Sequence, residues 1–157
     1  MTRTFRFLSV LAFIIIICST CKKDDDWYHI SAYEERLHRC VNDFRESQGK
    51  DKLVLQPVMV VEAQGNSKEW RDGGNAVSGL NDRFDAVIEK LGGTNYAAIT
   101  SIAYNLPPAD SVVNHWIADS AIRVILLDVY TQSGPGIAYG DNNEIYITHM
   151  FLNIPKN

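Results

Sequence analysis

The spacing of apolar residues changes several times along the chain. They run from Phe7 to Ile17 with Ser9 as the one interruption, and further on they recur at helical spacing. Ser31-Ala32-Tyr33-Glu34 has the form of a capping box, in which the Ser hydroxyl and the Glu carboxylate satisfy each other's backbone N–H groups. A helix is therefore predicted from there, with Tyr33, Leu37, Cys40, Val41 and Phe44 on one stripe and Gly49 as its stop. Pro57 suits the first turn of a second helix that carries Val58, Val60, Val61 and Ala63 towards Trp70. Asp72-Gly73-Gly74-Asn75 ends it. Phe84, Val87, Ile88 and Leu91 mark a third helix, closed by Gly92-Gly93.

The period then shortens. Ala98 to Tyr104 is small, β-branched and apolar, which predicts a strand closed by Pro107-Pro108. Asp110-Ser111 are placed to cap a fourth helix, running to about Ser120 with Val112, Val113, Trp116 and Ile117 inward. Gly134-Pro135-Gly136 reads as a turn leading into a strand, Gly136 to Tyr139. That strand and Glu144 to Leu152 flank Gly140-Asp141-Asn142-Asn143, which predicts an antiparallel hairpin. Helices first and strands mostly later argue for an α+β domain with a central antiparallel sheet flanked by helices.

The N-terminus changes how much of the chain folds. Arg3 and Arg6, the apolar run, and Cys18-Ser19-Thr20-Cys21 follow the order of a secretory signal peptide, and the run is shorter than the roughly 20 residues needed to cross a bilayer. Cys21 followed by Lys22-Lys23-Asp24-Asp25-Asp26 resembles the lipidated cysteine and acidic export tag of Bacteroidetes surface lipoproteins. Residues 1–20 are accordingly read as a signal peptide, 21–30 as a tether and 31–157 as the folded domain. The expected location is the outer membrane or cell surface, with a secreted or periplasmic protein as the alternative.

Composition is that of a globular chain, 46% hydrophobic and 22% charged. Outside the signal segment 13 bases face 19 acids with no basic run beyond Lys22-Lys23, so the electrostatic footprint of a nucleic-acid binder is missing. Of three cysteines only Cys40 falls in the domain, where a small apolar residue on a helix face is expected.

Several segments together resemble the CAP superfamily (cysteine-rich secretory proteins, antigen 5, pathogenesis-related 1) in its bacterial SCP-like branch. Asn42-Asp43-Phe44-Arg45 with Gly49 and Leu53 is similar to the family's opening helix, and Val112-Val113-Asn114-His115-Trp116-Ile117 to its Val-Val-x-x-Trp-Ile helix. Gly134-Pro135-Gly136-Ile137-Ala138 and Tyr146-Ile147-Thr148-His149-Met150-Phe151 are similar to Gly-x-Gly-Ile-Ala and Tyr-x-Thr-Gln-x-Phe. The resemblance runs from about Leu37 to Leu152 and implies an α-β-α sandwich.

It also implies a cleft whose histidines and glutamates hold a divalent metal. Here the first His position is matched by Val77, the Glu position by Tyr104 ahead of Asn105, and the second His position by Ile122 ahead of Arg123. Val and Ile carry no lone pair and a single neutral phenol is a poor ligand, so no metal and no cofactor are expected. His149, where the family has Gln, is the one metal-capable side chain placed near that cleft. Ser111, His115 and Asp119 share a helix face and do not converge as a nucleophile, base and acid would. Glu34 and His38, four residues apart, are expected to be a surface polar pair. The expected function is a lipid-anchored binding module for an envelope protein, a glycan or a small apolar ligand, non-catalytic, with a hydrolase or a structural component of a surface complex as alternatives.

Overall fold

The computed structural model describes residues 28–155; the signal-peptide and lipidation readings, with Cys21, lie outside them. Helix α1, Ala32–Ser47, begins as expected: Ser31 Oγ accepts the Glu34 N–H, and the Glu34 carboxylate accepts the Ser31 N–H at 2.7 Å. It ends in a Schellman motif, with Gly49 left-handed at φ 71°, the Gly49 N–H on the Glu46 carbonyl and the Lys50 N–H on that of Arg45. A short strand β1, Val54–Leu55, precedes α2, Pro57–Arg71, and α3, Leu80–Leu91. Strand β2 is Tyr96–Tyr104, α4 Ala109–Ala118, α5 Ser120–Leu127, β3 Gln132–Tyr139 and β4 Glu144–Leu152.

The sheet order is β1-β3-β4-β2. β3, β4 and β2 are antiparallel as expected, and β1 adds two residues parallel to β3 at the far edge, which makes the sheet mixed. Alternation along β4 assigns the two faces. Ile145, Ile147, His149 and Phe151 turn to a core shared with Leu37 and Val41 of α1, Val112, Val113 and Trp116 of α4, and Leu126 of α5. Met150 and Leu152 turn to a second core built with Met59 and Ala63 of α2 and Phe84 and Val87 of α3. The result is the α-β-α sandwich.

Three local expectations are corrected. Gly134-Pro135-Gly136 is no turn but lies inside β3, because a Cβ at Gly134 would strike Met59 and Val60 and one at Gly136 would strike Ala63 and Gln64. Only glycine lets the backbone of α2 settle on the strand. Helix α4 starts at Ala109 behind Pro108, with no side-chain cap, so Asp110 and Ser111 belong to its first turn. The helical stretch also does not stop at Ser120. Asp119 accepts from the N–H groups of Ala121 and Ile122 and caps a new helix, α5.

Two buried charges tie α1 to the rest. Glu34 is 1% exposed and also accepts from the Ile137 N–H and from Gln64 Nε2, each at 3.0 Å, which joins α1 to β3 and α2. Arg45 is equally buried and donates to the carbonyl oxygens of Asp51, Leu126, Asp128 and Tyr130. Its guanidinium thus replaces water for three loop carbonyls and for the Leu126 carbonyl in the last turn of α5, which has no intrahelical partner.

Candidate functional site

The sequence-predicted cleft positions stand apart. Val77 is 63% exposed in the turn after α2, on the side where Asn66 of α2 donates to the Ala76 carbonyl and to Thr148 Oγ1. His149 is fully buried on the opposite face of β4, and Ile122 of α5 packs half-buried against the core on that same side. The sheet stands between Val77 and the other two. Tyr104, 58% exposed, closes β2 at the sheet's rim, and Asn105 follows it on the surface. Among the described residues no three His, Cys, Asp or Glu side chains form a group able to hold a metal ion.

His149 does have polar company, which sequence spacing did not show. Asn42 Oδ1 accepts the Leu53 N–H at 2.8 Å and Asn42 Nδ2 donates to the Leu53 carbonyl at 3.0 Å, so the orientation of the amide is fixed. The second Nδ2 proton reaches His38 Nε2 at 3.1 Å; that nitrogen is the acceptor, and the His38 proton sits on Nδ1. Nδ1 donates to Ser133 Oγ at 3.0 Å, and the Ser133 hydroxyl donates in turn to His149 Nε2 at 3.2 Å. The chain of donors therefore ends on His149 Nδ1–H, a buried atom without a hydrogen-bond partner.

This corrects the surface reading of His38 and Glu34. Both turn inward and each uses different partners. Burial holds the His38 imidazole below its usual pKa, and burial, helped by His38, pushes His149 well below. Two neutral rings flanking a serine have the parts of a nucleophile and its base. The geometry denies them that use, because Ser133 and His149 expose no atom. His149 is instead walled by Phe151, stacked at a centroid distance of 4.5 Å, and by the edge-on indole of Trp116 at 6.1 Å.

Nor do Ser111, His115 and Asp119 assemble. All three are exposed on or after α4, and the Asp119 carboxylate is taken up by the α5 cap. Cys40 is partly buried against α4, and burial raises its thiol pKa, which leaves it in the unreactive protonated form at neutral pH.

The open surface with distinctive shape lies at the end of β2. Here Ser101, Ala103, Tyr104, Pro107, Val112 and Trp116 line a cavity of about 280 Å³, with Ser111 and His115 at its α4 edge. Trp116 is buried and hydrogen-bonds Ser101 Oγ through its indole N–H at 3.1 Å, so it forms a fixed wall. The backbone beyond Tyr104 is strained: Asn105 and Leu106 both have positive φ, 59° and 45°, and Leu106 is the costlier because its Cβ crowds the carbonyl. In that conformation the Leu106 side chain is about half exposed to solvent. Tyr33 of α1 fixes the next residue by donating to the Pro107 carbonyl at 2.8 Å.

A second, polar groove of about 390 Å³ lies at the β3–β4 hairpin between Arg71, Asp72, Tyr139, Asn142, Glu144 and Tyr146. Within it Arg71 pairs with Asp72 at 2.8 Å, and the Glu144 carboxylate accepts the Asn142 backbone N–H at 2.8 Å.

No protein-family model and no curated protein matches this chain. Solved structures do. A cysteine-rich secretory protein from Staphylococcus aureus superimposes with a TM-score of 0.60 at 17% identity, over 78% of this chain and 38% of that one. An extracellular protein containing an SCP domain from Bacillus anthracis gives 0.58 at 21% identity, over 78% and 40%. An outer surface protein from Borrelia burgdorferi gives 0.53 at 12% identity, over 78% and 93%. The chain spans about two fifths of the first two proteins. At these identities the likeness shows the fold: this chain has the fold of the CAP/SCP domain.

Proposed function

We propose that this chain is a lipid-anchored CAP-fold binding module of the cell envelope that captures a small apolar ligand at the end of β2 and performs no chemistry on it. The observation that carries this reading is the contrast between the two candidate centres. The groups able to act as base and nucleophile, His38, Ser133 and His149, are committed to one another, with Ser133 and His149 fully enclosed and His38 partly buried. The accessible cavity is walled by Trp116, Val112 and Tyr104, and the strained turn of Asn105 and Leu106 lies between its lining residues Tyr104 and Pro107 in the chain. Backbone strain that persists in a native state is characteristic of functional surfaces. The cavity is close to the lower end of the size range of small-molecule sites, and its scarcity of free polar groups suits an apolar ligand. The anchoring half of the reading is supported by Cys21, placed between an apolar run and a charged one, and by neighbours in fold that are described as secretory, extracellular or outer-surface proteins.

The test uses the chain from residue 22 and an anilinonaphthalene sulfonate probe. Saturable binding is expected, lost in Ser111→Phe, whose ring fills the cavity from α4. A zinc titration run beside it is expected to give no heat that depends on His149. Probe binding untouched by Ser111→Phe overturns the site, and tight zinc binding removed by His149→Ala overturns the non-catalytic reading. In the full chain, Cys21→Ser is expected to move the protein from the membrane to the soluble fraction.

A further inference from the structure

Strand β2 is an edge strand of unusual character. It runs nine residues against β4 without a bulge, and no charged residue occurs anywhere from Leu91 to Ala109. Edges of this length normally carry a lysine, a proline or a bulge that blocks further pairing. The hydrogen bonds at the two ends of the ladder show which groups are free. The Asn105 N–H donates to the Asn143 carbonyl at 2.9 Å, and the Asn153 N–H donates to that of Asn95 at 2.8 Å. In an antiparallel ladder such pairs recur at every second residue, so the odd-numbered residues of β2 bond to β4. The N–H and C=O groups of Tyr96, Ala98, Thr100, Ile102 and Tyr104 therefore point away from the sheet. Neither a backbone nor a side-chain hydrogen bond within the described residues takes them up. The exposure of the strand agrees: apart from Ile99 each residue is half-buried or exposed, whereas β4 beside it is buried along most of its length.

We infer that β2 pairs edge to edge with β2 of a second copy of this chain, antiparallel about a two-fold axis through Thr100, to form one continuous eight-stranded sheet. The occupant follows from self-complementarity. The strand reads Tyr-Ala-Ala-Ile-Thr-Ser-Ile-Ala-Tyr, with the same two residues at each end. An axis at Thr100 sets Tyr96 against Tyr104, Ala98 against Ile102 and Thr100 against itself. These are the residues whose backbone groups point outward, so the same register that matches the side chains also matches donors with acceptors. Aromatic and Thr–Thr cross-strand pairs are favourable, and the isologous arrangement closes as a dimer. Tyr96, whose ring already stacks on Phe84 at a centroid distance of 4.4 Å, and Tyr104 are about half exposed in the single chain, and the pairing would set each beside the other's counterpart. Two paired strands bury less than a standard interface, so the dimer is a weak one that forms as concentration rises.

Sedimentation equilibrium of the full chain in a density-matched detergent tests this. A monomer–dimer equilibrium in the micromolar range is expected, weakened about tenfold or more by Thr100→Lys and by Thr100→Glu, each of which sets like charges on the axis. An equimolar mixture of the two variants is expected to recover the dimer at low salt, since the axis then opposes Lys to Glu. Amide exchange at Ala98, Thr100 and Ile102 should slow with concentration in the unmodified protein, which reports pairing without any substitution. A chain that stays monomeric, a dimer indifferent to both charges, or variants that fail to recover when mixed would each overturn the proposal.

Discussion

Helix α2 reaches its face of the sheet backbone against backbone, while α1 and α4 reach the other face through side chains. On the α2 side, Gly134 and Gly136 remove the Cβ atoms that would hold the helix off. The polar groups caught there, Asn66, Ser67 and Thr148, form a short relay in which Asn66 Nδ2 donates to Thr148 Oγ1 and Ser67 donates to the Gly136 carbonyl. On the α1 side imidazoles and an indole lie between helices and sheet, with Asn42, His38, Ser133 and His149 as the relay. Both relays leave one polar atom unmatched, Asn66 Oδ1 and His149 Nδ1. The difference is that one relay titrates and the other does not. The two faces should therefore fail differently, one to added volume and the other to acid.

Added volume gives the largest effect. Gly136→Ala places a methyl group on the backbone of Ala63 and Gln64, neither of which is the end of a flexible side chain. A loss of about 3 kcal/mol or more, or failure to fold, is expected in urea unfolding. A well-folded Gly136→Ala protein with unchanged stability would show that α2 can lift from β3.

Acid acts on the other face. His38 and His149 have lowered pKa values in the folded state, so below the unfolded value near 6.5 the unfolded chain binds more protons than the native one. Their contribution is complete above that pH and is lost as pH falls, by about 1.4 kcal/mol per pH unit for each ring that stays neutral. Urea midpoints measured between pH 7.5 and 5 should fall, and the slope should be about halved in His38→Gln. A slope unchanged in that variant would mean that the drop comes from other groups. Thr148→Val, on the α2 face, is the smallest of the three. About 1 to 2 kcal/mol is expected from the partners left unmatched, with the acid slope as in the unmodified protein. If Thr148→Val altered the slope, the two relays would be coupled across β4.

The elements that rest on local chemistry were legible in the sequence. Ser31 and Glu34 are three residues apart and need no other part of the chain to cap α1. Gly49 stops it for a reason of its own backbone, and the 3.6-residue stripes of α1 and α3 face inward as read. The motifs from Asn42 to Phe151 likewise led to the CAP/SCP fold that the solved structures bear out. Helix α5 was not read because Asp119 both ends α4 and caps the next helix, and a cap inside an apparent helix looks like its end. Strand β1 was not read because two residues carry no period, and only pairing with β3 makes them a strand.

The candidate site shows the same division. Sequence by itself determined the apolar faces and the uncharged run that becomes β2. It also determined Arg45, whose burial no pattern announced, only as a residue type. Tertiary structure decided the partners. Ser133 lies 95 residues from His38 and 16 from His149, so their chain of hydrogen bonds exists only once α1 is laid on β3. Tertiary structure also decided which side of the sheet each cleft position occupies, because a strand sends neighbouring residues to opposite faces and a loop crossing fixes the rest. It decided, finally, that β2 is an edge. Residue order can make a strand self-complementary, but only the order of strands in space leaves its outer N–H and C=O groups without a neighbour.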